Sequence, residues 1–405
     1  MKAIIAGGGI GGTTAAICLA RIGWQVEILE QAAKIEEIGA GLQISPNGAR
    51  ILQDIGVMPH LAGTLFEPET IEMRIGASGR QVFSIPMRRI ARERWGAPYF
   101  QIHRADLLDG LHKALAETGN AKLRVNARVT GYQANGPKTD VILEDGTRLQ
   151  CDLLVGADGL HSKVRTQMLG PDQPRFTGNV AWRAVLPAKD LGDLVPPPSG
   201  CIWAGPGKHA VTTRIRAGTM VNFVGIVENP GWTHEGWKIE GTKAEALADF
   251  GGWNEMFHQI IAKAPRLYRW ALYDRAPLPR WSDGSAVLLG DAAHPMLPMM
   301  AQGAVQAIED AFVLARELAR ELALHGENGQ AVPAACKAYF QARIARVTRV
   351  QAVSTGNARL FHRQSRLSQL ASYGPIWIAD KIAPNALLAR NDWLYGARLD
   401  GEITR

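Results

Sequence analysis

The stretch KAIIAGGGIGGTTAAICLARIGWQVEILE, residues 2–30, decides the fold of this chain. Its hydrophobic pattern predicts a buried strand over Lys2–Ala6, a helix over Thr13–Ile22 and a second strand over Val26–Glu30. Between the first strand and the helix lie six residues, Gly7–Gly12, of which five are glycine. A strand, a glycine-rich turn, a helix and a strand in this order predict the start of a doubly wound parallel sheet.

Three of these glycines have the spacing of a dinucleotide-binding loop. Gly7 permits the tight turn, Gly9 lets the backbone approach a pyrophosphate, and Gly12 allows the helix to pack closely on the strand. The helix N-terminus offers unpaired N–H groups to the phosphates. Glu30 ends the second strand, where a carboxylate accepts hydrogen bonds from ribose hydroxyls. The residues assigned to this end of a dinucleotide are Gly7, Gly9, Gly11, Gly12, Glu30 and Gln31.

Two later segments carry an acidic residue at the end of a predicted buried strand. They are CDLLVGADG (151–159), with Asp158, and AVLLGD (286–291), with Asp291. An Asp at the carboxyl end of a parallel strand can accept a hydrogen bond from a ribityl or ribose hydroxyl, and the adjacent glycine clears space for that contact. Taken singly, either Asp is more often a turn former, and the glycine loop alone fits FAD or NAD.

Composition narrows the class of protein. The 405 residues carry a formal net charge of +7 from scattered Lys and Arg, which argues against nucleic-acid binding and favours anionic cofactors and carboxylate substrates. The four cysteines are far apart and lack metal-binding spacing, so we expect reduced thiols in the cytoplasm and no metal. No apolar run approaches the ~20 residues of a membrane span. We expect no transmembrane segment, and a monomer or a homodimer.

The middle of the chain has a different pattern from its beginning. Residues 71–85 predict a hairpin, residues 123–129 (LRVNARV) a strand, and residues 180–228 a meander of short strands. Seven of the eleven tryptophans lie between positions 182 and 281. This concentration indicates a separate, aromatic-lined domain inserted into the nucleotide-binding one. An α/β pattern then returns, and the chain ends with long helices.

Taken together, the glycine loop, Ala157-Asp158-Gly159 and Gly290-Asp291 resemble the three motifs of the FAD-dependent aromatic hydroxylases with the p-hydroxybenzoate hydroxylase fold. Within that family the chain is similar to the salicylate hydroxylase-like group, which includes 3-hydroxybenzoate 6-hydroxylase and 6-hydroxynicotinate 3-monooxygenase. The segments that carry this closer likeness are GAGLQISPNGARIL (39–52), WAGPGKHAVTT (203–213), MVNFVGIVE (220–228), HPMLPMMAQGAVQAIEDA (294–311) and DWLYGARLD (392–400).

The resemblance implies an α/β fold. A Rossmann-type FAD-binding domain would carry an inserted substrate domain built on an antiparallel sheet, followed by C-terminal helices. We expect the FAD-binding domain to comprise residues 1–70, 100–176 and 271–350. The substrate domain would comprise residues 71–99 and 177–270, and residues 351–405 would form the C-terminal helical segment.

The resemblance also implies the reaction. FAD would be reduced by NADH or NADPH, without a separate domain for that donor, and would react with O2 to a C4a-hydroperoxide. Oxygen would then pass to a small phenolic or heteroaromatic ring, such as a salicylate- or hydroxybenzoate-like compound. By the same resemblance, further FAD contacts are Gly41, Arg104, Val129, Asp158, Asp291, Gly303 and Ala304. From its position alone, Arg104 is equally well a surface charge at a helix start.

The implied chemistry requires a base for the phenol, and His209 is the first candidate, because the family pattern has a substrate-facing histidine there. The structural alternative is a hydrogen-bonded core or surface histidine. His294 is the rival, and we interpret it as structural, fixing its loop. Gln43 lies where the hydroxynicotinate enzymes have a catalytic histidine, but glutamine is no base at neutral pH. The predicted catalytic residues are His209, as the base, and Gln43, by its position in the segment that the resemblance places against the flavin ring.

The substrate site is predicted to be apolar. The residues assigned to it are His209, Thr213, Pro298 and Met299. The Pro- and Met-rich stretch 294–300 would form a dry wall, and the helix starting at Gln302-Gly303-Ala304 would steady negative charge on the reduced flavin. Arg183 and Arg214 lie on predicted strands and could each pair with a substrate carboxylate, but alternation does not tell which one faces inward.

Two alternative functions follow from the same sequence. One keeps the fold and changes the substrate, giving a quinone-ring or isoprenoid monooxygenase or epoxidase with a wide apolar mouth. The other is a non-hydroxylating FAD redox protein. The first predicts stimulation of NAD(P)H oxidation by a prenylated quinol, and the second predicts no stimulation by any effector.

Overall fold

The computed structural model describes residues 1–34, 41–135, 137–234, 236, 239–327 and 329–399. Gly39, Ala40, Trp237 and Asp400, which belong to patterns noted above, lie outside the described residues. The strands are β1 (Lys2–Ala6), β2 (Gln25–Leu29), β3 (Gly41–Ile44), β4 (Thr70–Ile75), β5 (Gln81–Pro86), β6 (Phe100–His103), β7 (Ala121–Arg124), β8 (Val129–Asn135), β9 (Lys138–Leu143), β10 (Arg148–Cys151), β11 (Leu153–Gly156), β12 (Arg175–Pro187), β13 (Gly200–Gly205), β14 (Lys208–Ile215), β15 (Met220–Glu228), β16 (Tyr268–Asp274), β17 (Ser282–Asp283) and β18 (Ala286–Leu288).

The helices follow the same chain order. They are α1 (Ile10–Arg21), α2 (Pro46–Asp54), α3 (Ile90–Trp95), α4 (Arg104–Glu117), α5 (Lys163–Leu169), α6 (Lys243–Asp249), α7 (Glu255–Lys263), α8 (Gly303–His325), α9 (Ala331–Phe361), α10 (Arg366–Ile382), α11 (Pro384–Ala389) and α12 (Asp392–Tyr395). Short 3-10 helices lie at Met58–Leu61, Ala188–Leu194, Gly290–Ala292 and Pro298–Met300. Within the described residues, no helix has the length and apolar character needed to cross a membrane.

The first sheet has the strand order β17-β18-β11-β1-β2-β7. Its strands run parallel except β17, which pairs antiparallel with β18 at the edge. Ala6, at the end of β1, pairs with Gly156 of β11, and Gly156 pairs with Leu288 of β18. The glycine loop and the segments of Asp158 and Asp291 therefore leave three neighbouring strands at the same edge of the sheet, which is where open α/β sheets bind ligands.

Helix α1 begins at Ile10, three residues before the predicted start. Two glycines inside its first turn allow this. A Cβ atom on Gly12 would lie 2.0 Å from the backbone oxygen of Gly7, and a Cβ atom on Gly11 would lie 2.7 Å from a methyl carbon of Leu289. Because both glycines lack a side chain, the helix packs against the turn and starts within the loop itself.

The strand predicted over residues 123–129 is wrong, because the chain turns in the middle of it. Strand β7 ends at Arg124, and β8 begins only at Val129. Between them, Asn126 has φ of 52°, in the left-handed region that asparagine tolerates better than most residues. The backbone N–H of Ala127 donates to the carbonyl oxygen of Glu30 at 2.9 Å, which fixes this turn beside the end of β2.

The second sheet joins the predicted hairpin and the predicted meander, in the order β16-β12-β15-β14-β13-β4-β5. It is antiparallel except for the pair β13 and β4, which run parallel. Behind it, Trp182, Trp203 and Trp253 form a core with side chains of α6 and α7. These three tryptophans therefore fill the back of the sheet rather than line its front, and Trp281 belongs to the core of the first sheet.

Several predicted domain boundaries fall inside continuous elements. Strand β12 runs across position 176/177, β16 across 270/271, and α9 continues unbroken from Ala331 to Phe361 across 350/351. The division into two domains and a C-terminal segment stays a prediction, and these elements indicate that its limits belong at strand and helix ends. Helices α8 and α9 pack along each other, and α10 packs on β5.

Candidate active site

The glycine loop forms a compact turn over the ends of β1 and β2. Gly7 has φ of 105°, and its N–H donates to the carbonyl oxygen of Leu29 at 2.8 Å. The Glu30 carboxylate accepts the N–H groups of Gly8 and Ala32, both at 2.8 Å. A Cβ atom on Gly9 would meet nothing within 4 Å in the described structure. The loop thus presents Gly9 on an open side, with the Glu30 carboxylate next to it.

A groove continues from this loop along the start of β8. Its volume is about 610 Å³, and it is lined by Gln31, Asn126, Ala127, Arg128, Leu143, Glu144 and Asp145. Gln31 is exposed at its edge. The Val129 side chain is buried, so any contact of Val129 with a molecule in the groove is made by its backbone.

The loop after β11 is held by Asp158 and by a buried arginine. One carboxylate oxygen of Asp158 accepts the N–H groups of Lys163 and Val164, at the start of α5. The other oxygen, Oδ1, is buried and has no hydrogen-bond partner within the described residues. Arg165 donates to the carbonyl oxygens of Leu160 at 2.7 Å and Ala292 at 3.2 Å. It therefore ties together the loops that follow β11 and β18.

We call the space beyond the carboxyl ends of β1, β11 and β18 the cleft, and Asp291 and Arg104 lie beside it. Part of the Asp291 side chain is open to solvent, but many protein atoms lie close to its carboxylate and partly desolvate it. This desolvation raises the pKa of Asp291, while the charges of His294 and Arg104 act in the opposite direction. Arg104, at the start of α4, is half-buried, and its charge acts on the pKa of Asp291, so its guanidinium lies near that carboxylate.

Below the cleft lies a fully buried ion cluster on α8 and α9. His294 Nε2 is 2.5 Å from Asp310, which also accepts the N–H of Gly290 at 3.1 Å. Arg343 donates to Asp310 at 2.7 Å and to Glu309 at 2.5 Å, and these three side chains have no exposed surface. The structural interpretation of His294 is thereby confirmed, because its ring is bound to this cluster.

The charges of the cluster offset the cost of burying it. Burial alone raises the pKa of Asp310, but the charges of His294 and Arg343 outweigh it and lower the value to about 2. Glu309 also accepts a hydrogen bond from Asn47 at 2.6 Å and from Arg346 at 2.7 Å. The cluster thus connects α2, α8, α9 and the loop after β18.

The Pro- and Met-rich loop is fastened to one face of α9. Gln351 donates to the carbonyl oxygen of Pro295 at 3.0 Å, Ser354 to Leu297 at 2.8 Å, and Asn357 to Met299 at 3.3 Å. These donors are three residues apart and so share a helix face. Leu297 and Met299 are buried against the front of the second sheet, whereas Pro298 between them is exposed.

After this loop, α8 begins at Gly303, with Ala304 as its second residue. Both are half-exposed, and a Cβ atom on Gly303 would meet nothing within 4 Å in the described part of the chain. The preceding Gln302 is buried, and its amide donates to Ser45 at 2.9 Å. The first N–H groups of a helix have no partner within it, so this 23-residue helix offers its positive end to the cleft.

The front of the second sheet carries three rows of side chains, because paired residues on neighbouring strands share a face. We call them the loop row, the middle row and the cofactor row. The middle row is Tyr268, Arg183, Val224, Val211, Ile202, Met73 and Phe83. The loop row is Trp270, Ala181, Ile226, His209, Ala204 and Ile75. The cofactor row includes Val185, Asn222 and Thr213.

The rows differ in burial. At the centre of the middle row, Val224, Val211 and Ile202 are half-exposed. His209 in the loop row and Thr213 in the cofactor row are both buried, at 1% and 3% exposure. These two residues are four positions apart on β14, which corresponds to about 13 Å along a strand. The middle row is therefore the accessible apolar strip between two closed rows.

The cofactor row meets β3. Asn222 accepts the N–H of Gly41 at 2.8 Å and donates to the Thr213 hydroxyl at 3.1 Å. Gln43, two residues on, accepts the hydroxyl of Tyr99 at 2.7 Å. Burial raises the pKa of Tyr99 well above its ordinary value, so its hydroxyl keeps its proton at neutral pH. The Gln43 amide is no base either, so neither side chain of this pair accepts a proton. Gln43 serves here as a hydrogen-bond acceptor.

His209 lies on the other side of the middle row. Its Nδ1 is 2.6 Å from Nε2 of His362, and its ring lies 5.1 Å from that of Phe361. Burial, together with His362, lowers the pKa of His209 well below its ordinary value. The Nδ1 of His362 is in turn 3.0 Å from a carboxylate oxygen of Glu228. His209 is thus a neutral imidazole at physiological pH.

The register of β12 and β14 distinguishes the two candidate arginines. Arg214 lies on the back face and donates to the carbonyl oxygens of Pro196 and Gly218. Arg183 lies in the middle row on the front face, and its guanidinium is 4.5 Å from the ring centre of Trp270. Of the two, only Arg183 is oriented toward the accessible strip.

The comparisons with known proteins agree with this geometry. Residues 1–354 match the model of a family described as FAD binding domain. Over 394 residues the chain is 36% identical to 3-hydroxybenzoate 6-hydroxylase 1 of Aquipseudomonas alcaligenes, with 97% of each chain covered. The chain belongs to the FAD-dependent aromatic hydroxylases. It is also 35% identical to 6-hydroxynicotinate 3-monooxygenase of Bordetella bronchiseptica over 361 residues, 88% of this chain and 91% of the relative.

A solved structure supports the same family. Klebsiella pneumoniae HpxO complexed with FAD and uric acid is 25% identical, with a TM-score of 0.82 over 95% of each chain. The predicted family, the α/β fold and the use of FAD with NADH or NADPH are thus confirmed. The residues present fit FAD, because the buried Oδ1 of Asp158 lacks a partner within the described residues and Gly9 and Gly303 are open.

Several residues that shape the site were not predicted from the sequence. Asn222, Tyr99, Arg165, Glu309, Asp310, Arg343, His362 and Glu228 belong to this group. One signal was present: Glu309-Asp310 are adjacent acidic residues within the otherwise apolar start of α8, which indicates a buried charge cluster. His362 gave no comparable signal, because its partners are distant in sequence.

Proposed function

We propose that this FAD-dependent monooxygenase hydroxylates a small phenolic or heteroaromatic acid of the salicylate or hydroxybenzoate kind. The observation that carries this proposal is the middle row, whose half-exposed centre of Val224, Val211 and Ile202 is apolar and adjoins Arg183. An aromatic ring suits such a strip, and a guanidinium at its end suits a carboxylate. The names of the relatives, which act on hydroxybenzoate and hydroxynicotinate, point to the same class.

The chemistry that FAD would supply when bound is acceptance of a hydride from NADH or NADPH and activation of O2 for transfer to the ring. We propose that the edge of the first sheet holds it. The glycine loop would face its phosphates, and the start of α8 would face its isoalloxazine ring. Glu30, Asp158 and Asp291 would accept hydrogen bonds from its hydroxyl groups, and Arg104 would balance their charge.

We propose distinct tasks for the residues around the substrate. Neutral His209 accepts the phenol proton at Nε2, because its Nδ1 faces His362. Thr213 and the Gln43–Tyr99 pair orient polar groups of the substrate on the cofactor side. Pro298 and Met299 cover the ring and exclude water, which protects the activated oxygen from wasteful breakdown.

The proposal is tested by steady-state NADH and NADPH oxidation with a panel of ligands. The panel contains 3-hydroxybenzoate, salicylate, 6-hydroxynicotinate, phenol as the control without a carboxyl group, and a prenylated quinol. We expect stimulation by at least one phenolic acid, weaker stimulation by phenol, and incorporation of one oxygen atom from 18O-labelled O2 into the product. Stimulation by the quinol alone would overturn the substrate class, and oxidation without labelled product from any ligand would overturn hydroxylation.

We further propose that the protein works in the cytoplasm. Its described cysteines, Cys18, Cys151, Cys201 and Cys336, are buried free thiols, as expected in a reducing compartment. Its reductant, NADH or NADPH, is drawn from the same compartment. Fractionation of the source cells with an antibody against the chain would test this location.

A further inference from the structure

A chain of hydrogen-bonded side chains leads from His209 to the protein surface. His209 and His362 are 1% and 5% exposed, whereas the Glu228 side chain is 45% exposed. The two links are 2.6 Å between the imidazole rings and 3.0 Å between His362 and Glu228. The three residues come from β14, the end of α9 and the end of β15. The chain therefore connects the buried front of the sheet with solvent.

The direction of both hydrogen bonds among His209, His362 and Glu228 follows from the carboxylate at the outer end. An ionised carboxylate only accepts, so His362 carries a hydrogen on Nδ1 and donates it to Glu228. Burial lowers the pKa of His362, which keeps the ring neutral and leaves its Nε2 as an acceptor. His209 must then donate from Nδ1. Its Nε2 has no hydrogen and is the one acceptor position that the ring retains.

We propose that His209, His362 and Glu228 form a relay that carries the phenol proton of the substrate to solvent. This inference rests on the proposed function, because it takes His209 as the base. The substrate O–H bond breaks as an N–H bond forms at Nε2 of His209. The Nδ1 proton of His209 passes to Nε2 of His362, and the Nδ1 proton of His362 passes to Glu228 and then to water. One proton enters, one leaves, and no electrons are transferred.

The outer end of the relay is open to water and positively charged. A surface cavity of about 470 Å³ is lined by Glu228, Arg359, His362, Arg363, Gln364, Ser365 and Ser368. Arg359 and Arg363, both from the end of α9 and its continuation, are the cationic groups of this lining. The Glu228 side chain, which ends the hydrogen-bonded series at this cavity, is 45% exposed to water. A proton that arrives at Glu228 is therefore passed on to solvent.

Stopped-flow absorbance under anaerobic conditions tests the relay in the FAD-loaded enzyme. The probes are 3-hydroxybenzoate, salicylate and 6-hydroxynicotinate, whose ionised forms absorb differently from their neutral forms. The variants are Glu228→Gln, which keeps the shape of the surface residue, His362→Ala, and Gln364→Ala as the matched control. Gln364 binds the other oxygen of Glu228 at 2.9 Å, so its loss removes a contact of the same carboxylate without removing a relay member.

We expect deprotonation of the bound probe to slow by on the order of 10²-fold in His362→Ala and by at least about tenfold in Glu228→Gln, with Gln364→Ala unchanged. Substrate affinity should stay constant in all three. Imidazole added to His362→Ala should restore the rate, because the cavity exposes the position of the lost ring. A residue that only supports the fold would show no such rescue.

The outcomes separate the relay from the proposed function. Rapid deprotonation in wild type and equally rapid deprotonation in both variants would overturn the relay and leave His209 as the base. Slow variants without imidazole rescue would also overturn it. If wild type deprotonates none of the probes, the proposed function fails, and the relay fails with it. The second measurement needs no substrate: 15N NMR of histidine-labelled enzyme should find the Nδ1–H form in both rings, and the Nε2–H form of His362 would overturn the relay.

Discussion

The cofactor end and the substrate end of this molecule are built by different means. The cofactor end uses backbone turns that directly follow β1, β11 and β18, so each motif is local in sequence and the parallel sheet brings the motifs together. The substrate end uses side chains that meet across the fold, such as His209 and His362, which are 153 residues apart. A parallel sheet thus fixes a binding edge by topology, whereas the antiparallel face depends on register and on long-range pairs.

The buried cluster of Glu309, Asp310 and Arg343 supports both the cofactor end and the substrate end. Its loss should therefore weaken both ends together. Arg343→Met leaves two buried carboxylates without their cation. We expect the free energy of unfolding to fall by about 3–5 kcal/mol, measured by urea denaturation of the FAD-loaded enzyme. FAD retention and coupled turnover should weaken together.

The control for this variant is Arg349→Met on the same helix. Arg349 is exposed and lies over the Trp393 ring at 3.9 Å, outside the cluster, so its substitution should change stability by no more than about 0.5 kcal/mol. Acid unfolding gives a second readout. Because the pKa of Asp310 is lowered from 3.8 to about 2, its stabilising contribution is complete above pH 3.8 and is lost as pH falls toward 2. If Arg343→Met and Arg349→Met lost the same free energy of unfolding, the assignment of Arg343 to a stabilising cluster would be contradicted.

The next prediction affects the substrate end alone. His209→Ala should retain FAD and lose coupled hydroxylation by on the order of 10²-fold, measured as product formed per NADH consumed. The wild-type pH profile should remain flat down through the ordinary histidine pKa of 6.5, because burial lowers the pKa of His209 and protonation begins only at more acidic pH. Full coupled activity of the variant would reject His209 as the base.

A matched pair of glycine variants affects the cofactor end alone. Gly12→Ala places its Cβ atom 2.0 Å from the backbone oxygen of Gly7, and a backbone atom cannot swing away as the end of a side chain could. We therefore expect the free energy of unfolding to fall by about 1–3 kcal/mol. Gly9→Ala meets no atom within 4 Å in the described structure and should fold normally, yet bind FAD more weakly. Thermal unfolding without FAD and a fluorescence titration with FAD separate the two effects. Equal thermal shifts would contradict this reading of the loop.

These expectations also show which parts of the site a sequence can predict. The positions of Gly7, Glu30, Asp158 and Asp291 followed from local motifs, because the turn after a strand is determined by neighbouring residues. The early start of α1 was missed, since it depends on how closely Gly11 packs on Leu289, a contact between distant segments. The break at Asn126 was missed because a strand-like hydrophobic pattern hides a single left-handed residue.

The substrate end was less accessible to prediction. His209 was identified by family resemblance, but its partners His362 and Glu228 were not, because no periodicity links β14 to the end of α9. Arg183 and Arg214 are equivalent in sequence, and only the strand register assigns one to the front and the other to the back. A one-residue shift of register reverses every such assignment, so this part requires a structure.

The smallest expected effect lies where the two ends meet, in the loop of Leu297 to Met299. Ser354→Ala removes its hydrogen bond to Leu297 and should lower stability by about 1 kcal/mol. FAD affinity should not change, but more hydrogen peroxide should form per NADH, because a looser wall admits water to the substrate end. Thr355→Ala is the control, since the one side-chain hydrogen bond of Thr355 within the described residues goes to Gln351 of its own helix. Peroxide formation that is the same in both variants would mean that the wall needs no support from α9, and the two ends would then be closed by the loop's own prolines.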